Sequence, residues 1–287
     1  MILRLTHRTT FAYAGVTHDS FNEARLQPVS DELQTCRAFS LRISPAITPR
    51  EYRDFYGNFV HYFDIAAPHR RLVIEAESEI ETLPDAARPP VPDVPFAELA
   101  SFPEREFFAE FLAPSRYVPD DVALRHEAVL ALGTTRTTVF GDAVRIGRYI
   151  YQHFTYKPHT TGVSTRATDA LRLHTGVCQD YAHVMLGLCR QSGIPARYVS
   201  GYFFNNRRRP GEIEASHAWV EVMVPGAGWI AYDPTHDRPA DERYVKIATG
   251  RDYADIRPIS GTYKGAPTRS LKVFVAVREA DAALAAS

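Results

Sequence analysis

The sequence predicts an α+β chain that opens with an all-β domain. Three observations carry that expectation. Apolar residues alternate with polar ones through the first 83 residues. Five prolines between Pro84 and Pro95 then break the pattern. Beyond them, helical periodicity comes first and strand alternation follows, which is the α+β order and not a βαβ repeat.

The N-terminal elements follow in order. Ile2–Tyr13 alternates through Leu3 and Leu5 and continues into Thr9, Thr10, Phe11 and Tyr13. Phe39–Ile43 sets Phe39, Leu41 and Ile43 against Ser40 and Arg42. Phe55–Ile65 is aromatic-rich, with a turn expected at Gly57-Asn58, and Leu72–Leu83 alternates again. Such runs between turn residues predict an antiparallel sheet or sandwich. Proline fixes φ and removes a backbone donor, so Pro84–Pro95 reads as a linker. The expected boundaries are a β domain over 1–83, a linker over 84–95 and a core over 96–287 that includes a closing strand, Leu271–Val277.

Within the core, Asp120–Leu132 predicts a helix closed by Gly133. Gly141–Phe154 places Ala143, Gly147, Ile150, Tyr151 and Phe154 near one helical face. Val177–Ser192 is apolar nearly all round, which predicts a buried helix, stopped by Gly193 and Pro195. Strands are expected at Ala196–Phe204, Ser216–Val224 and Trp229–Asp233, the last two joined by a turn at Pro225–Gly228.

Composition narrows the function classes. The chain has 287 residues, 33 Lys plus Arg, 34 Asp plus Glu and a formal charge of −1. That balance favours neither a nucleic-acid partner nor an acidic membrane surface. Three cysteines exclude a disulfide scaffold. No run approaches the roughly 20 apolar residues of a membrane span. Arg4, His7 and Arg8 interrupt what would be the apolar stretch of a leader, so a cytoplasmic location is expected.

Of the three thiols, Cys178 stands out by position. It opens the buried helix, where free amides and the positive dipole end favour a thiolate and could stabilise an oxyanion. His217 opens a later strand and Asp233 closes its hairpin partner. Both share one parity about the turn near Gly226, which puts them on one face, opposite or diagonal. A base held by a carboxylate and facing a thiol suits nucleophilic catalysis. Gln179, Asp180 and Trp219 stand near enough to support the site: Asp180 in the first helical turn, Trp219 on the His217 face as pocket wall or core. Cys189 reads as core and Cys36 as incidental. Cys178, His183, Cys189 and His217 fit no zinc spacing, so neither a metal nor an organic cofactor is expected. The loop Tyr156–Thr168, with Lys157, Thr161 and Thr165, and the basic run Arg207-Arg208-Arg209 read as solvated segments, with substrate or acidic-peptide contact as the sharper options.

These residues resemble a known family. Thr175-Gly176-Val177-Cys178-Gln179-Asp180-Tyr181-Ala182 is similar to the nucleophile motif of bacterial transglutaminase-like proteins. Ser216–Glu221 resembles their histidine motif, and Gly228–Thr235 their aspartate motif. Ser192–Tyr202 is typical of the segment between. The core resemblance covers residues 110–250, and 1–83 resembles the β domain that often precedes it. The resemblance implies a papain-like fold, with a cysteine-bearing helix against an antiparallel sheet, and acyl transfer through a thioester. Members are variously transglutaminases, peptidases and amidases, so the family alone leaves the reaction open. The expectation is a Cys-His-Asp enzyme acting on a peptide or protein substrate, hydrolytic in preference to amine transfer. The alternatives are a protein-glutamine transglutaminase and a non-catalytic peptide-binding module. The β domain is expected to dock or orient substrate.

Overall fold

A computed structural model describes residues 1–205 and 216–280. Arg207-Arg208-Arg209 lie outside the described residues. The N-terminal strands are β1 (Ile2–Ala24), β2 (Gln34–Ser44), β3 (Arg50–Arg53), β4 (Phe59–Ile65) and β5 (His69–Thr82). They form one antiparallel sheet in the order β2-β5-β1-β4-β3. Leu3, Leu5, Leu72, Ile74 and Ile80 face inward, as the period-two pattern requires.

The core begins with α1 (Phe96–Ala100), α2 (Val122–Leu132) and α3 (Val139–His153). Next come β6 (Thr155–Tyr156), α4 (Ala167–Leu173), β7 (Thr175–Gly176) and α5 (Cys178–Gln191). Then follow β8 (Ala196–Phe203), β9 (His217–Val224), β10 (Gly228–Asp233), β11 (Arg238–Pro239) and β12 (Tyr244–Gly250). These last five make an antiparallel sheet in the order β11-β10-β9-β8-β12. Val184, Met185, Leu186 and Leu188 of α5 bury against Ala218, Val220, Val222 and Val224 of β9 in one cluster. This α+β core sits beside an all-β domain. Among the described residues, no helix is long and apolar enough to cross a membrane.

The closing strand differs from expectation. Two strands end the chain, β13 (Ile259–Gly265) and β14 (Thr268–Glu279), and both pair with β1. They complete the N-terminal sheet and add nothing to the core sheet. The N-terminal domain is therefore built from both ends of the chain. The proline segment is also no free spacer. Asp85–Ala87 forms a 3-10 turn, Pro95 bridges Thr138, and Arg88 reaches the Ala240 carbonyl.

The two domains are joined by side-chain amides that imitate a strand. Gln34 accepts from the Lys246 N–H and donates to the Lys246 carbonyl, both at 2.8 Å. Asn58 does the same to Thr249, also at 2.8 Å. These pairs satisfy backbone groups at the open edge of β12, which burial would otherwise penalise.

Gly201 in β8 is required by close approach. A Cβ there would lie 2.1 Å from the Val245 carbonyl oxygen and 2.5 Å from the Trp219 ring. A backbone atom cannot yield as a flexible side chain can. Gly201→Ala is expected to cost about 2 kcal/mol or more. A melting temperature lowered by roughly 5 °C in calorimetry would match that cost. An unchanged melt would show that β8 and β12 can separate freely.

Candidate active site

The site is assembled where the first turn of α5 meets the ends of β9 and β10. Val177 precedes the helix in extended geometry, and Asp180 turns back over the first turn. Its Oδ2 accepts from the Val177 N–H at 2.8 Å and from the Thr161 hydroxyl at 2.6 Å. Burial pushes the Asp180 carboxyl up, and those two donors oppose the shift. Gly176 leaves the room for this, since a Cβ there would meet Oδ2 at 2.5 Å. Asp180 thus fixes the helix start that carries Cys178. The parallel pairing of Tyr156 with Gly176 holds the same segment from the other side.

Cys178 is half-buried and unpaired. As the first helical residue, its N–H lacks an intrahelical acceptor and can serve a developing oxyanion. The Gln179 side chain is directed to the preceding loop, where its Nε2 donates to the Val163 carbonyl at 3.2 Å. Together with Thr161, it ties the loop before α4 to the helix start.

The β9–β10 register sets the imidazole. Tyr232 pairs with Val220, so Asp233 falls opposite Trp219 and diagonal to His217 on the same face. His217 Nε2 lies 2.6 Å from Asp233 Oδ2. The carboxylate can only accept, so Nε2 donates, and Nδ1 is left for Cys178, which also hydrogen-bonds His217. Burial alone would lower the His217 pKa. The Asp233 charge and hydrogen bond, with Cys178, overturn that and raise it to about 10. Asp233 is fully buried, which by itself would raise its pKa, yet His217 and His236 hold it well below the usual carboxylate range. Trp219 is buried behind the imidazole. It stacks on His217 at 6.0 Å between centroids and meets Tyr244 edge-on at 5.3 Å.

Two further neighbours, His236 and Tyr244, join the site. His236 Nδ1 lies 2.6 Å from Asp233 Oδ2, and the Tyr244 hydroxyl donates to the same oxygen at 2.8 Å. His236 sits three residues beyond Asp233 in a turn, and that proximity was the only sequence signal. Tyr244 lies in β12, which the local pattern did not reveal. Thr161, which reads from sequence as a solvated loop residue with substrate contact as the sharper option, gives its hydroxyl to Asp180. The other thiols stay apart. Cys189 is fully buried, and burial pushes its pKa to about 12. Burial also raises the half-buried Cys36. His183 is fully buried, accepts the Tyr253 N–H at 3.3 Å, and is lowered to about 3 by burial despite Asp252. Among the described residues, the group with metal-ligand spacing is His217, Asp233 and His236, not the cysteine-bearing set considered from sequence.

The model of the transglutaminase-like superfamily core matches residues 129–234. The bacterial transglutaminase-like N-terminal region matches residues 3–81. An uncharacterized protein of Mycobacterium leprae is 36% identical over 280 residues, covering 96% of this chain and 98% of that protein. The chain belongs to the transglutaminase-like superfamily. The superfamily core match contains Cys178, His217 and Asp233 and stops before His236 and Tyr244. A candidate cysteine protease from Cytophaga hutchinsonii has a similar structure, with a TM-score of 0.74 at 27% identity. The match covers 98% of this chain and 92% of that one. A protein-glutamine gamma-glutamyltransferase of Pseudomonas aeruginosa is 32% identical over 138 residues, which is 44% of this chain and 20% of that protein. The fold is papain-like, and an enzyme of this superfamily is supported.

Proposed function

We propose that the protein is a thiol-dependent acyl-transfer enzyme acting on carboxamides of a peptide or protein. The single observation that carries this reading is the hydrogen-bonded series Cys178–His217–Asp233 at the start of a helix. The Cys178 thiolate attacks the carbonyl carbon. The oxyanion forms beside the α5 N-terminus, where the Cys178 N–H can meet it. His217 gives its Nδ1 proton to the leaving amine, and the tetrahedral species collapses to a thioester. Asp233 keeps the imidazole in the productive tautomer throughout. An incoming water or amine then loses its proton to His217 and displaces the thiolate.

Water as acceptor makes a peptidase or amidase, and we favour it because no amine site is evident near Cys178 among the described residues. The second reading, an amine acceptor, is favoured by the name of the Pseudomonas aeruginosa relative. A cytoplasmic location suits a nucleophile that must stay reduced; recovery in another fraction on cell fractionation would count against it. The deciding experiment offers a glutamine-containing peptide with and without a primary amine and weighs the products by mass spectrometry. A free acid despite the amine supports hydrolysis. An amine adduct supports the transferase. No product from a broad peptide library, with Cys178 alkylated no faster than an ordinary thiol, leaves the binding-module alternative.

A further inference from the structure

Asp233 Oδ2 receives three donors: His217 Nε2 at 2.6 Å, His236 Nδ1 at 2.6 Å and the Tyr244 hydroxyl at 2.8 Å. Catalysis needs only the first. The ligand atoms of His217, Asp233 and His236 all lie within 4.8 Å of one another, and the two imidazoles are 5.1 Å apart between centroids. We propose that His217, Asp233 and His236 form a Zn²⁺ site whose occupation switches off the acyl-transfer centre.

Two imidazoles and one carboxylate suit Zn²⁺, a borderline cation, better than Ca²⁺ or Mg²⁺, which take oxygen ligands. Three protein ligands leave a fourth position for water or the Tyr244 oxygen. Tetrahedral zinc with bonds near 2.0–2.1 Å holds its ligand atoms about 3.3 Å apart. The 2.6 Å contacts therefore need to open by less than 1 Å. His236 can supply that movement: it lies in the turn after β10, and its side chain is 39% exposed, which also gives the ion a route. The Thr235 N–H holds Asp233 Oδ1 at 2.8 Å and would keep the carboxylate oriented from behind.

Protons balance simply. Zn²⁺ takes the lone pair of His217 Nε2, and any proton there leaves to solvent. His217 keeps its Nδ1 proton, facing the Cys178 sulfur. His236 coordinates through Nδ1 and carries its proton on Nε2, outward. With Nε2 on the metal, His217 no longer cycles between neutral and protonated forms, and the proton relay stops. This consequence rests on the catalytic reading above; the site itself does not.

The test separates the two. Cys178→Ser removes the thiol as a ligand and any turnover with it. Calorimetric titration of that variant with Zn²⁺ should show one equivalent bound. Adding His236→Ala should weaken binding by about tenfold or more. His236→Gln serves as a second variant, and circular dichroism checks that both fold. Co²⁺ added to the parent protein should give a visible spectrum without a thiolate charge-transfer band. Binding that vanishes with Cys178→Ser, that ignores both His236 variants, or that is absent overturns the site. Zinc that binds but leaves turnover unchanged overturns the switch. Zinc bound at His236 by a protein with no acyl transfer sustains the site and defeats the catalytic reading instead.

Discussion

Cys178→Ala is expected to abolish acyl transfer, with a loss on the order of 10³-fold or more in kcat/KM. The thiolate forms the covalent bond of the intermediate, and nothing else at the α5 N-terminus can replace it. Cys189→Ala provides the contrast. It empties a buried position in the same helix, where burial keeps the thiol protonated, so it should lower stability and leave chemistry largely intact. Turnover assays on both variants, with thermal melts, separate a nucleophile from a core thiol. A Cys178→Ala protein that still forms product would end the covalent mechanism.

Asp233→Ala should lower kcat/KM by on the order of 10²- to 10⁴-fold and reshape its pH profile. The imidazolium of His217 is needed to protonate the leaving amine. With its pKa raised to about 10, activity in the parent should persist to alkaline pH and fall near that value. Without Asp233, burial dominates and draws the histidine down, so the alkaline limb should move down by more than about one pH unit. The sign is the same for stability. A histidine raised on folding stabilises fully below its unfolded value of 6.5 and loses that contribution as pH rises through about 10. Asp233→Asn retains one oxygen acceptor and removes the charge, so it should shift the limb with less disturbance of the fold. An alkaline limb that stays in place in both variants would mean that Asp233 does not govern His217.

Much of this architecture is legible in the chain itself. Alternation at Ser216–Val224, the turn near Gly226 and the parity of Asp233 suffice to align the β9–β10 hairpin. Cys178 is legible because a helix start is marked by local chemistry. What escaped was set by distant partners. β13 is mostly exposed and carries no inward face to betray it. β14 alternates visibly, but nothing local says that its partner is the first strand of the chain. Tyr244 and Thr161 reach the site across sheet and loop, and their roles follow from register and not from spacing. The closing strand was placed with the core for the same reason: a break in the chain at the prolines does not stop a later strand from joining the first sheet.

The pairing of Leu3 with Glu279 has a consequence for biosynthesis. The ribosome delivers β1 well before β14, so β1 waits through synthesis of the whole core for this neighbour. Until then one edge of β1 presents an open row of amides and carbonyls to solvent or to a chaperone. The nascent chain can order its cysteine-bearing core before β14 arrives, but the sheet beside it closes only afterwards.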